Sequence, residues 1–192
     1  MIFRLKRHFN ISLLFVAFIV SCSSDDDNSR TSEVNIIQSA IAEENLSSTS
    51  FLVIANRPEI ERGVVFSATL DGKITKIGRS NITGDATVYR VFDVANNNII
   101  QEVTIPDSGE SNMQSLAMPI TIEAGKKYII SSNNINPYGI SRQDAQAFLP
   151  YTKYNLTLEK TVFKIGPPGT FPNENDMYNV IYGVPLFTFL PN

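Results

Sequence analysis

The residue with the most defined chemistry in this chain is Cys22, which closes the run Ile19-Val20-Ser21-Cys22. It stands after a small residue and two aliphatic ones, behind a basic start (Arg4, Lys6, Arg7) and an apolar stretch over residues 11–20. That is the layout of a lipoprotein signal. The chemistry it predicts is thioether formation between Sγ and diacylglycerol, cleavage before Cys22, and acylation of the new amino terminus. Several acyl chains hold a protein stably on a bilayer where a single chain does not. The apolar stretch is about half the roughly 20 residues needed to cross hydrocarbon. Residues 1–21 therefore read as a signal peptide rather than an anchor helix.

A second kind of chemistry would come from Tyr138, Tyr151 and Tyr154, which fall in or beside a long connection over residues 133–153, with Phe148 among them. Flat rings on an exposed loop stack against the C–H faces of sugars while polar neighbours take the hydroxyls. The alternative is that the rings cover one end of the core with their hydroxyls in water. Tyr154 also fits the inward stripe of a strand. Two oxygen-rich runs, Asn173-Glu174-Asn175-Asp176 and Asp107-Ser108-Gly109-Glu110, lack the spacing of a calcium loop and read as solvated turns.

What is missing narrows the chemistry further. His8 is the only histidine and Cys22 the only cysteine, and there is no tryptophan. After cleavage no histidine base and no free thiol remain, which excludes Ser-His-Asp and Cys-His hydrolysis and zinc sites built on those ligands. No glycine-rich phosphate loop is present. Carboxylate, lysine or tyrosine chemistry, or calcium held by oxygen ligands, remains open, but no local motif pairs two acids as a glycosidase requires. No catalytic residue, metal ligand or cofactor is assigned. Loss of Arg4, Lys6 and Arg7 takes the balance from 16 basic and 19 acidic residues to 13 and 19, a net charge of −6. Such a chain offers no basic stripe for nucleic acid.

The elements that would carry these groups follow from the patterning. Ser23-Ser24-Asp25-Asp26-Asp27 resembles the export tag that sends lipoproteins of Bacteroidetes-type bacteria to the outer face of the outer membrane. Residues 22–50 as a whole are polar, with a weak apolar patch at 34–41, and read as a lipidated tether carrying at most one short helical or extended piece. From residue 51 to 192, short apolar runs alternate with Gly, Pro, Asn and Asp. Val64, Phe66, Ala68 and Leu70 alternate with Val65, Ser67 and Thr69, and Asp71-Gly72 then marks a hairpin turn. Leu116, Met118, Ile120 and Ile122 form the cleanest inward stripe, followed by a turn at Ala124-Gly125 and by Tyr128 and Ile130.

Residues 51–55, 73–77, 86–94, 99–105, 154–159 and 178–189 complete a set of about nine strands, which predicts an all-β, antiparallel β-sandwich. Pro185 places the last strand at an edge or a bulge. Ser141, followed three residues later by Asp144, resembles a capping box and predicts one short helical turn ended by Pro150.

Several of these runs resemble, in order, a bacterial family known as domain of unknown function 4082. Glu61-Arg62-Gly63-Val64-Val65-Phe66 and Gly72-Lys73-Ile74-Thr75-Lys76-Ile77 are similar to its opening, "E-L-G-V-x-F … G-x-I-T-x-I". Residues 87–105 resemble its middle hairpin, and Pro119 through Gly125 to Tyr128 its marker "P-V-x-I-x-A-G-x-x-Y". Phe171-Pro172 and residues 179–187 resemble its close, although Val180 and Ile181 replace an aromatic pair and Gly183 stands near an expected acid. The resemblance implies a β-sandwich of the kind appended to secreted bacterial proteins, some of which act on carbohydrate, and implies no activity.

Together these readings predict a lipid-anchored protein of the outer membrane, facing outward, with a non-catalytic module for carbohydrate or envelope glycan. The alternative is a structural or adhesive partner of a surface protein, engaged through an exposed sheet edge.

Overall fold

The computed structural model describes residues 32–50, 59–79, 86–106, 112–133, 138–175 and 177–192. Cys22, the candidate strand at 51–55 and the run 107–110 lie outside the described residues. The expected all-β sandwich is what the chain forms, with every strand pair antiparallel and one helix among the described residues. The largest sheet runs in the order β11 (Glu174–Asn175), β10 (Leu156–Ile165), β2 (Ile60–Ala68), β7 (Lys127–Ser132), β4 (Thr87–Asp93), β5 (Asn98–Ile105). A short β9 (Tyr151–Lys153) forms a hairpin with β10. The second sheet has the order β13 (Pro185–Pro191), β3 (Gly72–Arg79), β6 (Asn112–Ile122). The third has β8 (Tyr138–Arg142) between β1 (Leu46–Ser50) and β12 (Val180–Tyr182).

The core lies between these layers. Val64, Phe66 and Ala68 of β2 face inward as their alternation predicts, with Phe66 against Phe187 (ring centroids 4.8 Å apart) and Tyr128 (5.7 Å). Leu70 falls beyond the end of β2 and is exposed. Ile74 and Ile77 are three apart and would point to opposite faces of a regular strand, yet both are fully buried. A register shift at Thr75 accounts for this, because the extra residue turns the strand over. Opposite Thr75, four residues of β6, 116–119, loop out of register between Ser115 and Ile120. Pro119 has no N–H for the ladder. Met118, predicted to point inward, is consequently 74% exposed, while Ile120 and Ile122 hold the core face.

Two turns differ from their sequence reading. Asp71-Gly72 does not close a hairpin, since β2 and β3 belong to different sheets. It is a crossover, and Gly72 permits it because a Cβ there would lie 2.4 Å from the Phe189 ring. Residues 123–126 make a second crossover, from β6 to β7. The two are tied together: Ala124 N donates to Asp71 Oδ1 (2.7 Å), Gly125 N to the Ala68 carbonyl (2.8 Å) and Glu123 N to the Tyr128 hydroxyl (3.0 Å). The candidate strand 178–189 is likewise two strands in two sheets, broken at Gly183 and Val184, both with positive φ. Pro185 opens β13, an edge strand, as its missing N–H requires.

The largest corrections concern the helix and the tether. Ser141 does not cap a helix. It pairs with Ser47 on one side and Val180 on the other, so ladder bonds on both edges override a weak capping signal. Asp144 instead accepts from the Arg142 guanidinium (3.1 and 3.0 Å) and from Gln146 N (3.0 Å), closing a turn. The helix is α1 (Ile36–Glu43), inside the predicted tether. Asn35 caps it, its side chain accepting from Gln38 N at 3.1 Å. Its stripe of Ile36, Ile37 and Ala40 is completely buried, and Val34 bridges Phe189 with two 2.9 Å backbone bonds. Residues 34–50 therefore pack and pair with the sandwich.

Ile37→Ala should cost about 2–5 kcal/mol, as for a fully buried isoleucine, and removal of residues 32–50 should abolish the cooperative melt. Urea unfolding followed by circular dichroism checks both.

Candidate functional site

α1 covers the side of the sandwich between β13 and β9, and an open groove of about 430 Å³ lies along its outer face. Ser32, Glu33, Asn35, Gln38, Glu43, Lys153 and Tyr154 are among its lining residues. Two elements position them. The N-capped helix presents Gln38, Ser39, Ala42 and Glu43 outward because its apolar stripe is committed to the core. The β9–β10 hairpin presents Lys153 and Tyr154, since its turn is the two-residue Tyr154-Asn155. Both turn residues have positive φ (52° and 64°), the requirement of a tight hairpin turn. Asn155 pins that turn to the end of β2, accepting from Thr69 N at 2.8 Å and from its hydroxyl at 3.2 Å.

The ion pairs around the groove are satisfied. The Lys153 ammonium donates to Glu43 Oε1, and the Tyr151 hydroxyl donates to Glu43 Oε2 at 2.7 Å. Glu33 accepts from Lys76 at 2.5 Å and from Thr75 at 2.8 Å. These bonds, to lysine first, hold both carboxyls below the usual range. Burial, and then donation to Glu43, pushes the Tyr151 hydroxyl up. The uncharged groups Asn35, Gln38 and Ser39, beside an exposed ring, can bind hydroxyls and stack on a sugar face.

The three tyrosines marked by sequence do not form one face. Tyr151 is in the core with Phe148, so its ring cannot stack on a ligand. Tyr154 is not inward. It is 47% exposed, with the Lys153 ammonium 4.6 Å from its ring centroid. Tyr138 opens β8, and its side chain lies outside the described part of the structure. The helix residues of the groove were missed because residues 22–50 read as a tether. The apolar pair Ile36-Ile37 recurring at Ala40-Ile41, directly after Asn35, is the signal that could have found them.

Of the oxygen-rich run, Glu174 pairs with Lys164 (2.7 Å), and Asp176 lies outside the described residues. Among the described residues no three His, Cys, Asp or Glu side chains are grouped to hold a metal ion.

A second polar cluster lies on the outer face of the largest sheet. Glu61 is completely buried and accepts from Arg90 (3.1 Å), the Ser131 hydroxyl (2.6 Å) and Gly169 N (3.0 Å). Arg90 Nε donates to Glu102 at 2.6 Å. Beside it Val65, Phe92, Ile129 and Val162 form a small core under Phe171. The cluster clamps residues 166–172 onto the sheet.

No protein-family model matches the chain, and no curated protein matches it. Several residues of the motifs read from the sequence have structural roles. Glu61 enters this clamp, Gly63 lies where a Cβ would sit 2.7 Å from β7, Val64 and Phe66 enter the core, and Tyr128 caps a crossover.

Two outcomes follow. Arg90→Met strands a buried carboxylate and should cost about 3–5 kcal/mol in urea unfolding. Because the Glu43 carboxyl is lowered in the folded state, its contribution is present at neutral pH and lost as pH falls through the lowered value. The melting temperatures of wild type and Glu43→Gln should therefore differ at pH 7 and converge on acidification below roughly pH 5.

Proposed function

We propose that this chain is a lipid-anchored protein of the outer membrane, displayed outward, whose sandwich binds a saccharide without transforming it. The site is the groove between α1 and the β9–β10 turn. The observation that carries the reading is Tyr154. A tyrosine at positive φ costs about 1–2 kcal/mol relative to the right-handed region, where asparagine or glycine would sit more easily. Its exposed ring returns nothing to the core. Strain kept at a bulky exposed residue points to use of that residue, here as a stacking platform. The polar, charge-balanced lining suits hydroxylated ligands. Anchoring through Cys22, export by the acidic run after it and the absence of a histidine base support display and binding rather than hydrolysis.

A second reading has its own observation. Ile99 and Ile100 are exposed on β5, which among the described residues pairs with β4 alone, so an extended segment of a surface protein could add to that edge.

Residues 23–192 titrated with a panel of neutral oligosaccharides should melt higher, by the equivalent of about 2.7 kcal/mol at 100 times the dissociation constant. Tyr154→Asn should fold with stability within about 1 kcal/mol of wild type, as relieved strain offsets the lost lysine contact. It should lose the saccharide response. A panel without any response, in a protein that captures a surface protein lost on Ile99→Lys, would transfer the function to the β5 edge.

A further inference from the structure

The groove lies close to the point where the chain leaves its lipid. Ser32 lines the groove, and Val34 beside it is fixed to β13. Nine residues, 23–31, separate Ser32 from Cys22. Fully extended they span about 30–32 Å, and as a flexible coil about 15–18 Å. A polar headgroup layer is itself roughly 5–7 Å deep. With Cys22 acylated, a linker of that length keeps the rim of the groove within one small-domain diameter of the bilayer.

The far end of the sandwich is not so placed. β2 runs from Ile60 to Ala68, and its Ala68 end meets the β9–β10 turn through Thr69 and Asn155. Glu59 lies a full strand away from that turn, at the opposite end, and is exposed.

The lining also restricts the ligand. Its charges are internally matched, Glu43 with Lys153 and Glu33 with Lys76, so neither a phosphate nor an acidic sugar gains a free cation. Uncharged amides and hydroxyls with one exposed ring remain. We infer that the groove takes the neutral saccharide headgroup of a glycan anchored in the same membrane leaflet as the protein. This inference rests on the saccharide reading above and on acylation at Cys22. A tether this short gives a headgroup in the same leaflet a high effective concentration, which a soluble polysaccharide lacks.

The test uses the mature acylated protein in vesicles. Ser39→Cys in the groove and Glu59→Cys at the far end each supply the single free thiol for a fluorophore, because Cys22 carries lipid. With a quencher on phospholipid headgroups, the Ser39 label should be quenched and the Glu59 label should not. In vesicles bearing a lipid with a neutral disaccharide headgroup, the wild-type protein should bind that headgroup and Tyr154→Asn should not. A 20-residue Gly/Ser insertion after Asp27 should weaken this binding about fivefold, by the length dependence of effective concentration. It should leave affinity for the free disaccharide unchanged.

Equal quenching at both labels, or quenching of Glu59 alone, overturns the placement even if free saccharide stabilises the soluble domain. Indifference of glycolipid binding to the insertion overturns recognition in the same leaflet. Failure of free saccharide and glycolipid alike removes the saccharide reading itself.

Discussion

A carboxylate sealed from water must be matched by protein groups, and matching Glu61 organises one whole face of this molecule. Its partners come from separate elements: Arg90 on β4, the Ser131 hydroxyl on β7 and the Gly169 amide in the covering segment. None of these bonds can form until β2, β7 and β4 are adjacent in the observed register and residues 166–172 lie over them. The central strands are therefore buried on both faces, by the main core on one and by this clamp with its small apolar cluster on the other. Gly63 is needed beside it because β7 passes too close for any side chain.

The opposite side of the sandwich has a different need. Between β13 and β9 the main core would be open, and α1 closes it with Ile36, Ile37 and Ala40. A helix used as a cover has a buried stripe and a free one. The free stripe meets the β9–β10 turn, and the groove is what lies between them. Closure of the core and shape of the groove thus have one cause. A helix recruited from what composition describes as linker produces both.

Much of the fold was legible. Val64, Phe66 and Ala68, Ile120 and Ile122, and Tyr128 and Ile130 alternate as strands and sit inward, because a period of two leaves a face no choice once the core lies on one side. Alternation failed where the ladder slips. Met118 turns outward at an irregularity containing Pro119, and Ile74 and Ile77 share a face across another at Thr75. A register shift is a property of a strand pair, so neither strand announces it alone. The candidate site was less legible. Tyr151 and Tyr154 look alike in sequence, yet one is core and the other is exposed, because Tyr154 falls at the turn of a hairpin whose register only its partner sets.

The sequence by itself determined the class of fold, and marked Cys22 as the residue whose type and context predict lipid attachment. Composition and short-range pattern are sufficient for these, since each depends on residues a few positions apart. Only the tertiary structure decided which sheet each strand joins and that Asp71-Gly72 crosses between sheets. It alone showed that Ser141 is strand and residues 36–43 are helix, and that Tyr154 lines one groove with Gln38 and Glu43. Those outcomes depend on pairing and burial between segments far apart in the chain, where long-range contacts override local preference.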